Sequence, residues 1–308
     1  MLKGGRSLER EVSLRSGHNA EAALRRLGHD VLPVDADEHL VRTLRAERPD
    51  SAFIALHGKG GEDGTVQELL EILGIPYTGS GVRACERSMD KVVAKALFED
   101  AGIPTPPAFA FSEDAFRELG AADTLGLIRE RLGLPLVVKP AKQGSALGVA
   151  VAHEPGEIPR ALMAALSYDD RVVLERFVPG REIAVSVLGT DAPEALPAVE
   201  ARPRDRAFYD FEARYTPGMT DFVAPAPLEP AQADLAARLA LGCYSALGCR
   251  GFGRVDMILD PDGGFWVLEL NAIPGLTDTS LMPKAAEAAG MDFDELIARV
   301  LEQAALGG

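Results

Sequence analysis

From Phe252 to Gly275 the chain reads FGRVDMILDPDGGFWVLELNAIPG, two runs of apolar and polar residues on either side of Pro261-Asp262-Gly263-Gly264. Period-two patterning around an Asp-Gly turn predicts an antiparallel hairpin. Pairing outward from Asp262-Gly263 sets Asp256 opposite Glu269 and Arg254 opposite Asn271. Opposed residues point to one side, and alternate residues share a face. Arg254, Asp256, Glu269 and Asn271 are therefore expected to project together. Val255, Met257, Leu259, Trp266, Leu268 and Leu270 are expected to form the core face.

Elsewhere strands and helices alternate, which predicts an α/β protein. A helical pattern follows Gly4-Gly5 and runs to about Leu27, and His29–Val34 reads as a strand. Ser51–Leu56 reads as a buried strand opening into the glycine-rich loop His57–Gly64. Thr65 is expected to cap a helix ending at Gly74, and Ser88 to cap another ending at Gly102. Strands are expected at Leu136–Lys139, Val149–Ala152, Val172–Phe177 and Glu182–Leu188, and a helix at Ala231–Leu247. The pattern suggests three lobes: an N-terminal open parallel α/β sheet (1–80), a central lobe (81–178), and a C-terminal α+β lobe carrying the hairpin (179–308).

Composition narrows the function. With 308 residues, 47% of them hydrophobic, the chain can bury a substantial core. The net charge is −15, and no Lys/Arg run suggests a nucleic-acid or anionic-membrane surface. Three scattered cysteines and no C-x-x-C point to a reducing cytoplasm. No apolar run approaches the roughly 20 residues of a membrane span, and no signal peptide is visible. The five histidines form no zinc-binding motif.

The hairpin face carries the sharpest chemistry. Asp256, Glu269 and Asn271 are hard oxygen donors, the kind Mg²⁺ uses when it also binds substrate phosphates. A plain cross-strand ion pair such as Arg254 with Glu269 is the simpler alternative. It accounts less well for two directly opposed carboxylates, which repel unless a cation lies between them. In Leu136–Ala152, Lys139 ends a strand before a loop with Gly144, Ser145 and Gly148. This is not a P-loop, because the lysine precedes the loop and a strand follows it. Such a flap can cradle phosphates with its main-chain N–H groups, and a small-residue hairpin turn fits equally well. Lys91 falls in the first turn of its helix, where the dipole disfavours a cation unless an anion offsets it. Glu175 and Glu182 flank Pro179-Gly180 and could meet an adenine amine and ribose hydroxyls, although surface carboxylates are the simpler reading.

Taken in order, GGRSLEREVSLRSG, FIALHGKGGEDGTVQELLEILGIPYTGSG, SMDK, VVKPAKQGSALGV, FYDFEARYTPG, GFGRVDMILD and LELNAIPGLTDTSL resemble the D-alanine–D-alanine ligase family of the ATP-grasp superfamily. The resemblance spans nearly the whole chain. It implies an ATP-dependent ligation of two D-alanines through an acyl phosphate, for peptidoglycan precursors. It implies two Mg²⁺ ions on Asp256, Glu269 and Asn271, with Mn²⁺ able to substitute. Arg254 and the Gly275 N–H would form the oxyanion site. Glu9 would hold the first D-alanine's ammonium, oriented by His57 and linked to Ser145 and Tyr215. Ser280 and Leu281 would cradle the second carboxylate. Lys91, Lys139, Gly144, Ser145, Ala146 and Arg214 would contact the ATP phosphates. Glu175, Phe177, Val178 and Glu182 would contact adenine and ribose. A cytoplasmic homodimer is also implied, with no nucleic-acid or membrane partner.

Three departures stand out. Only Met1-Leu2-Lys3 precede Gly4-Gly5, where relatives have about a full strand. Arg214 stands where many relatives have lysine, and Ala146 where a second serine is frequent. Relatives that use D-lactate replace the tyrosine that Tyr215 matches, in the loop Phe208–Gly218, so the resemblance implies an amine over D-lactate as nucleophile. The competing functions are a ligase using D-serine or D-lactate and a catalytically silent nucleotide-binding protein.

Overall fold

A computed structural model describes residues 1–204, 216 and 218–306. In its first part, β1 (Leu2–Lys3) runs parallel to β2 (Val34–Asp35) beside the helices α1 (Arg10–Arg26), α2 (Leu40–Glu47) and α3 (Thr65–Leu73). The expected strand Ser51–Leu56 is extended and largely buried, but it is held by isolated bridges, Leu2 to Ile54 and Ala52 to Tyr77. Side chains take over part of its ladder: Ile54 N donates to Thr78 Oγ1 (3.0 Å) and Ala55 O accepts from Ser13 Oγ (2.6 Å). The strand expected over His29–Val34 starts only at Val34, after Pro33, which has no N–H to donate.

Two capping expectations are corrected. Left-handed Gly64 precedes α3, and Thr65 is the first helical residue, its N–H donating to Asp63 Oδ1 (3.1 Å). The helix expected from Ser88 is two, α4 (Val82–Met89) and α5 (Lys91–Asp100), broken at Asp90. Asp90 accepts from the N–H groups of Val92 and Val93 and is the true N-cap of α5. Ser88 instead donates back to Ala84 O within α4 (2.7 Å). Lys91 is thereby fixed at the first position of α5.

The central sheet takes β3 (Ala108–Ser112), β4 (Leu136–Pro140), β5 (Ala150–Ala152) and β6 (Arg171–Arg176) in the antiparallel order β3-β6-β4-β5. Between these strands come α6 (Glu113–Glu118), α7 (Leu125–Leu132) and α8 (Ile158–Leu166). Leu136, Val138, Val172 and Leu174 pack on α7 and α8. Alternation turns Val137, Lys139 and Glu175 to the other face, where all three line a cavity.

The C-terminal sheet takes β7 (Arg181–Leu188), β9 (Val199–Pro203), β10 (Thr220–Val223), β11 (Phe252–Leu259) and β12 (Phe265–Asn271) in the order β10-β9-β7-β11-β12, with β8 (Glu194–Ala195) on β7. Three helices complete it: α9 (Pro230–Leu247), α10 (Leu281–Ala288) and α11 (Phe293–Glu302). One face packs on α5 and α9 through Val185, Val255, Met257 and Leu270. The other joins the N-terminal core through Ala184, Leu188 and Phe252.

The hairpin keeps the register expected at the site, Arg254 opposite Asn271 and Asp256 opposite Glu269. A bulge between Asp256 and Met257 then shifts Met257 opposite Val267. Phe265 and Val267 are therefore the core residues, while Leu268 joins the cavity wall, a correction to the expected core face. Trp266 is also half-exposed, its Nε1 donating to Asp260 Oδ2 (2.8 Å).

Leu174, fully buried on an inner strand of the central sheet, offers a direct test of that core. Leu174→Ala is expected to cost about 2–5 kcal/mol, seen as a lower urea midpoint with its slope unchanged.

Candidate active site

Four side chains of the hairpin meet as its pairing requires. Arg254 and Asp256 are buried, and Arg254 donates from Nε (2.6 Å) and Nη2 (2.8 Å) to the two oxygens of Asp256. Asn271 Nδ2 donates to Asp256 Oδ2 (3.2 Å). Across the pair, Glu269 lies 3.2 Å from Lys91 Nζ. Each carboxylate thus carries a cation, and Asp256, Glu269 and Asn271 bring to one place hard oxygen donors of the type Mg²⁺ takes.

This face borders a cavity of about 320 Å³ between the central and C-terminal sheets. Val137, Val151, Ile258 and Leu268 give it apolar walls, while Lys91, Lys139, Glu175 and Glu269 supply charge. Ala146, Phe177, Val178 and Glu182, the residues named above for nucleotide contacts, also line it. Lys91 Nζ donates to Gln143 O (2.8 Å), tying α5 to the Gly144–Gly148 loop. No hydrogen bond from the Val178 main chain is found among the described residues, so its N–H and C=O remain available to a ligand edge. A Cβ on Gly180 would stand 2.3 Å from Leu259 O, so the connection between the sheets admits only glycine there.

Glu175 is buried, and two lysines hold it: Lys139 Nζ at 2.7 Å and Lys95 Nζ at 2.5 Å. Burial pushes its pKa up, but the two ammonium groups outweigh burial and hold it below the usual carboxylate range. Lys95 is absent from the sequence reading. It stands one turn after Lys91 on the buried stripe of α5 with Ala94 and Phe98.

The third cluster joins the N-terminal part to the Gly144–Gly148 loop. Glu9 sits at the N-cap position of α1 but makes no cap, and its carboxylate accepts from Ser145 Oγ. Ser145 (φ 53°) and Ala146 (φ 57°) are both left-handed, a strain of about 1–3 kcal/mol each, of the kind that collects at ligand clamps. Gly58 is left-handed (φ 71°), which favours glycine, and a Cβ there would push on Glu9 Oε2 at 2.4 Å.

His57 corrects an expectation. Its Nδ1 faces Ile273 O (3.1 Å) and its Nε2 faces Ser16 Oγ (3.0 Å), so its ring fixes the 273–276 segment, not Glu9. Because a carbonyl only accepts, Nδ1 carries the proton and Ser16 donates to Nε2. Ser16 Oγ accepts in turn from Leu276 N (3.1 Å). Burial lowers the His57 pKa to about 4, so the ring is neutral.

Ser280 precedes α10 without capping it, and its Oγ accepts from Thr277 N (2.9 Å). The first amides of α10, including Leu281, thus have no side-chain cap. Gly275 is packed so closely that a Cβ would lie 2.7 Å from Ser280 Oγ. Arg214 and Tyr215, and most of the loop Phe208–Gly218, lie outside the described residues.

Comparison with known proteins finds similarity along nearly the whole chain. A family model described as D-ala D-ala ligase C-terminus matches residues 97–302, and one described as D-ala D-ala ligase N-terminus matches residues 40–80. The D-alanine–D-alanine ligase of Carboxydothermus hydrogenoformans is 44% identical over 302 residues, covering 98% of this chain and 96% of that protein. That of Moorella thermoacetica is 44% identical over 304 residues, covering 99% and 98%. Among solved structures, D-alanine–D-alanine ligase from Bacillus anthracis complexed with ATP superposes with a TM-score of 0.82 at 33% identity, covering 98% of this chain and 95% of that one. VanG D-Ala:D-Ser ligase from Enterococcus faecalis gives 0.84 at 27% identity, covering 98% and 97%.

One buried carboxyl gives a pH test. Glu62 accepts from Gly58 N (2.7 Å), and burial, then the charge of Glu9, raises its pKa from 4.5 to about 8. Between those values the native chain keeps a proton that the unfolded chain has lost, so stability falls as pH rises. The slope is about 1.4 kcal/mol per pH unit for one group. Glu62→Gln is expected to flatten the stability loss between pH 6 and 8 in urea titrations. An unchanged slope would mean that Glu62 is ionised in the native protein.

Proposed function

The chain belongs to the D-alanine–D-alanine ligase family, and from that premise we propose how its residues divide the work of joining two D-alanines with ATP. It is an ATP-dependent carboxylate–amine ligase of the ATP-grasp fold, acting in peptidoglycan precursor synthesis. The first D-alanine's carboxylate oxygen attacks the γ-phosphorus, the bond to the β-phosphate oxygen breaks, and acyl phosphate and ADP result. The second D-alanine's amine then attacks the acyl carbon, and phosphate leaves with the electron pair of the C–O bond. The amine's proton is released, and the peptide bond remains.

The observation that carries the assignment is the convergence of Arg254, Asp256, Glu269 and Asn271 on one hairpin face, which meets the cavity through Glu269 and its partner Lys91. Asp256, Glu269 and Asn271 would hold two Mg²⁺ ions, or Mn²⁺, which when bound neutralise charge on the transferring phosphoryl group. Lys91, Lys139 and the Gly144–Ala146 segment bind phosphates, with Arg214 as a further contact. Glu175, Phe177 and Val178 receive adenine, and Glu182 receives ribose. Glu9, supported by Ser145 and Tyr215, holds the first substrate's ammonium. His57 acts at one remove, fixing through Ile273 and Ser16 the segment that presents the Gly275 N–H. That N–H and Arg254 stabilise the tetrahedral oxyanion. Ser280 and the open amide of Leu281 hold the second carboxylate. The lobes 1–80, 81–178 and 179–308 are the proposed units of a cytoplasmic homodimer. No helix among the described residues is long and apolar enough to cross a membrane.

D-serine as second nucleophile is the alternative, supported by the likeness to a D-Ala:D-Ser ligase. Release of ADP and phosphate that needs D-alanine and fails with L-alanine is the expected outcome, with D-serine and D-lactate as competing nucleophiles. Release driven only by D-serine would favour the alternative. Glu269→Gln is expected to fold as the parent by circular dichroism and to lose turnover. Full turnover in that variant would remove Glu269 from the metal set.

A further inference from the structure

Lys95 stands behind the nucleotide cavity. Lys139 and Glu175 line that cavity, and Lys95 does not. It is buried on α5 one turn beyond Lys91, and reaches Glu175 Oε2 at 2.5 Å while Lys139 holds Oε1 at 2.7 Å. Its Nζ also donates to Thr105 Oγ1 (2.7 Å), whose hydroxyl donates to Val267 O (2.9 Å). Two ammonium groups on one buried carboxylate are one more than charge compensation needs. The surplus becomes intelligible when a nucleotide enters. Lys139 is wanted by the phosphates, and Glu175 Oε1 is wanted as an acceptor by the adenine amine. With one lysine alone, its departure would strand a buried carboxylate without a cation, a state proteins avoid.

We propose that Lys95 is a positioning residue for nucleotide recognition, keeping Glu175 compensated so that Lys139 can pass to the phosphates and free Oε1 for the adenine amine. The proposal rests on the ATP-site reading above. Base and phosphate recognition are coupled in it: Oε1 opens to the base when a phosphate draws Lys139 away. Lys95 and its Thr105 anchor stay in place throughout. Since Lys91 and Lys95 share one face of α5, a single helix serves both ends of the nucleotide.

The test is steady-state kinetics on the full chain with ATP and with inosine triphosphate, which has a carbonyl oxygen where adenine has an amine. Lys95→Met is expected to raise the ATP KM by about tenfold or more with kcat kept within about threefold, the signature of lost binding and not of lost chemistry. The D-alanine KM is expected to hold, and the preference for ATP over inosine triphosphate to narrow. Lys95→Arg is expected to recover part of both. An ATP KM and a nucleotide preference within about twofold of the parent, or a loss confined to kcat, would overturn the proposal. Lys139→Met separates the two readings. If it raises the ATP KM while Lys95→Met does not, only the role of Lys95 falls. If neither moves it, the ATP site itself is misplaced. Where Lys95→Met does not fold, Thr105→Val carries the test: a several-fold rise in ATP KM at constant kcat supports the role, and an unchanged KM ends it.

Discussion

Two carboxylates face one another across a half-buried pair of strands, and that electrostatic demand organises the molecule's centre. Asp256 and Glu269 cannot share this position without positive charge close by. Arg254 meets the demand on one side and Lys91 on the other. Each comes from an element fixed for other reasons. Arg254 is held by the strand register, and Lys91 by the break at Asp90 that starts a new helix beneath it. The chain is strongly acidic overall, yet it gathers Lys91, Lys95, Lys139 and Arg254 into buried positions around one cleft. Their surroundings are apolar walls, where charge acts at longer range than in water. An anionic ligand therefore meets local positive charge that the net charge does not reveal.

The hairpin was legible in the sequence at its functional end because two offsets cancel. The turn closes over Asp260 to Gly264, where Asp260 N donates to Gly264 O, so the pairing nearest the turn is one residue away from the symmetric one. The bulge restores the step before Glu269. A period-two reading has no means of seeing a bulge, so it assigned Leu268 to the core and left out Val267. Helix boundaries failed for a similar reason. Ser88 and Asp90 are both good caps, and the Ser88 hydroxyl is engaged inside α4 by the carbonyl of Ala84, so the capping falls to Asp90. The N-terminal strands were over-read because burial of Ala52–Leu56 is satisfied by isolated bridges and side-chain hydrogen bonds in place of a full ladder. The site residues were recognisable as short ordered motifs. Lys95 was not, because its partner Glu175 is 80 positions away and nothing local distinguishes it from a helix lysine whose stem alone is buried.

Polar side chains inside the N-terminal cluster act as a chain of supports. His57, neutral and buried, spans from Ser16 on α1 to the carbonyl of Ile273 just past β12. Ser16 closes the loop by accepting from Leu276 N. The segment proposed to present an oxyanion donor is thus braced by residues 216 and 260 positions earlier in the chain. That arrangement places preorganisation in hydrogen bonds of fixed direction, which need no rearrangement when charge develops.

The connection at Gly180 sets one more property of the cleft. Its Cα abuts Leu259 O with no room for a side chain, so main chain meets main chain where the central and C-terminal sheets are joined. The width of the slot is consequently calibrated by backbone dimensions, which mutation of lining residues leaves alone. Val137, Val151, Ile258 and Leu268 could each be exchanged for another aliphatic residue without moving that main-chain contact. The spacing of the jaws is inherited from the peptide geometry, and the grip from the side chains.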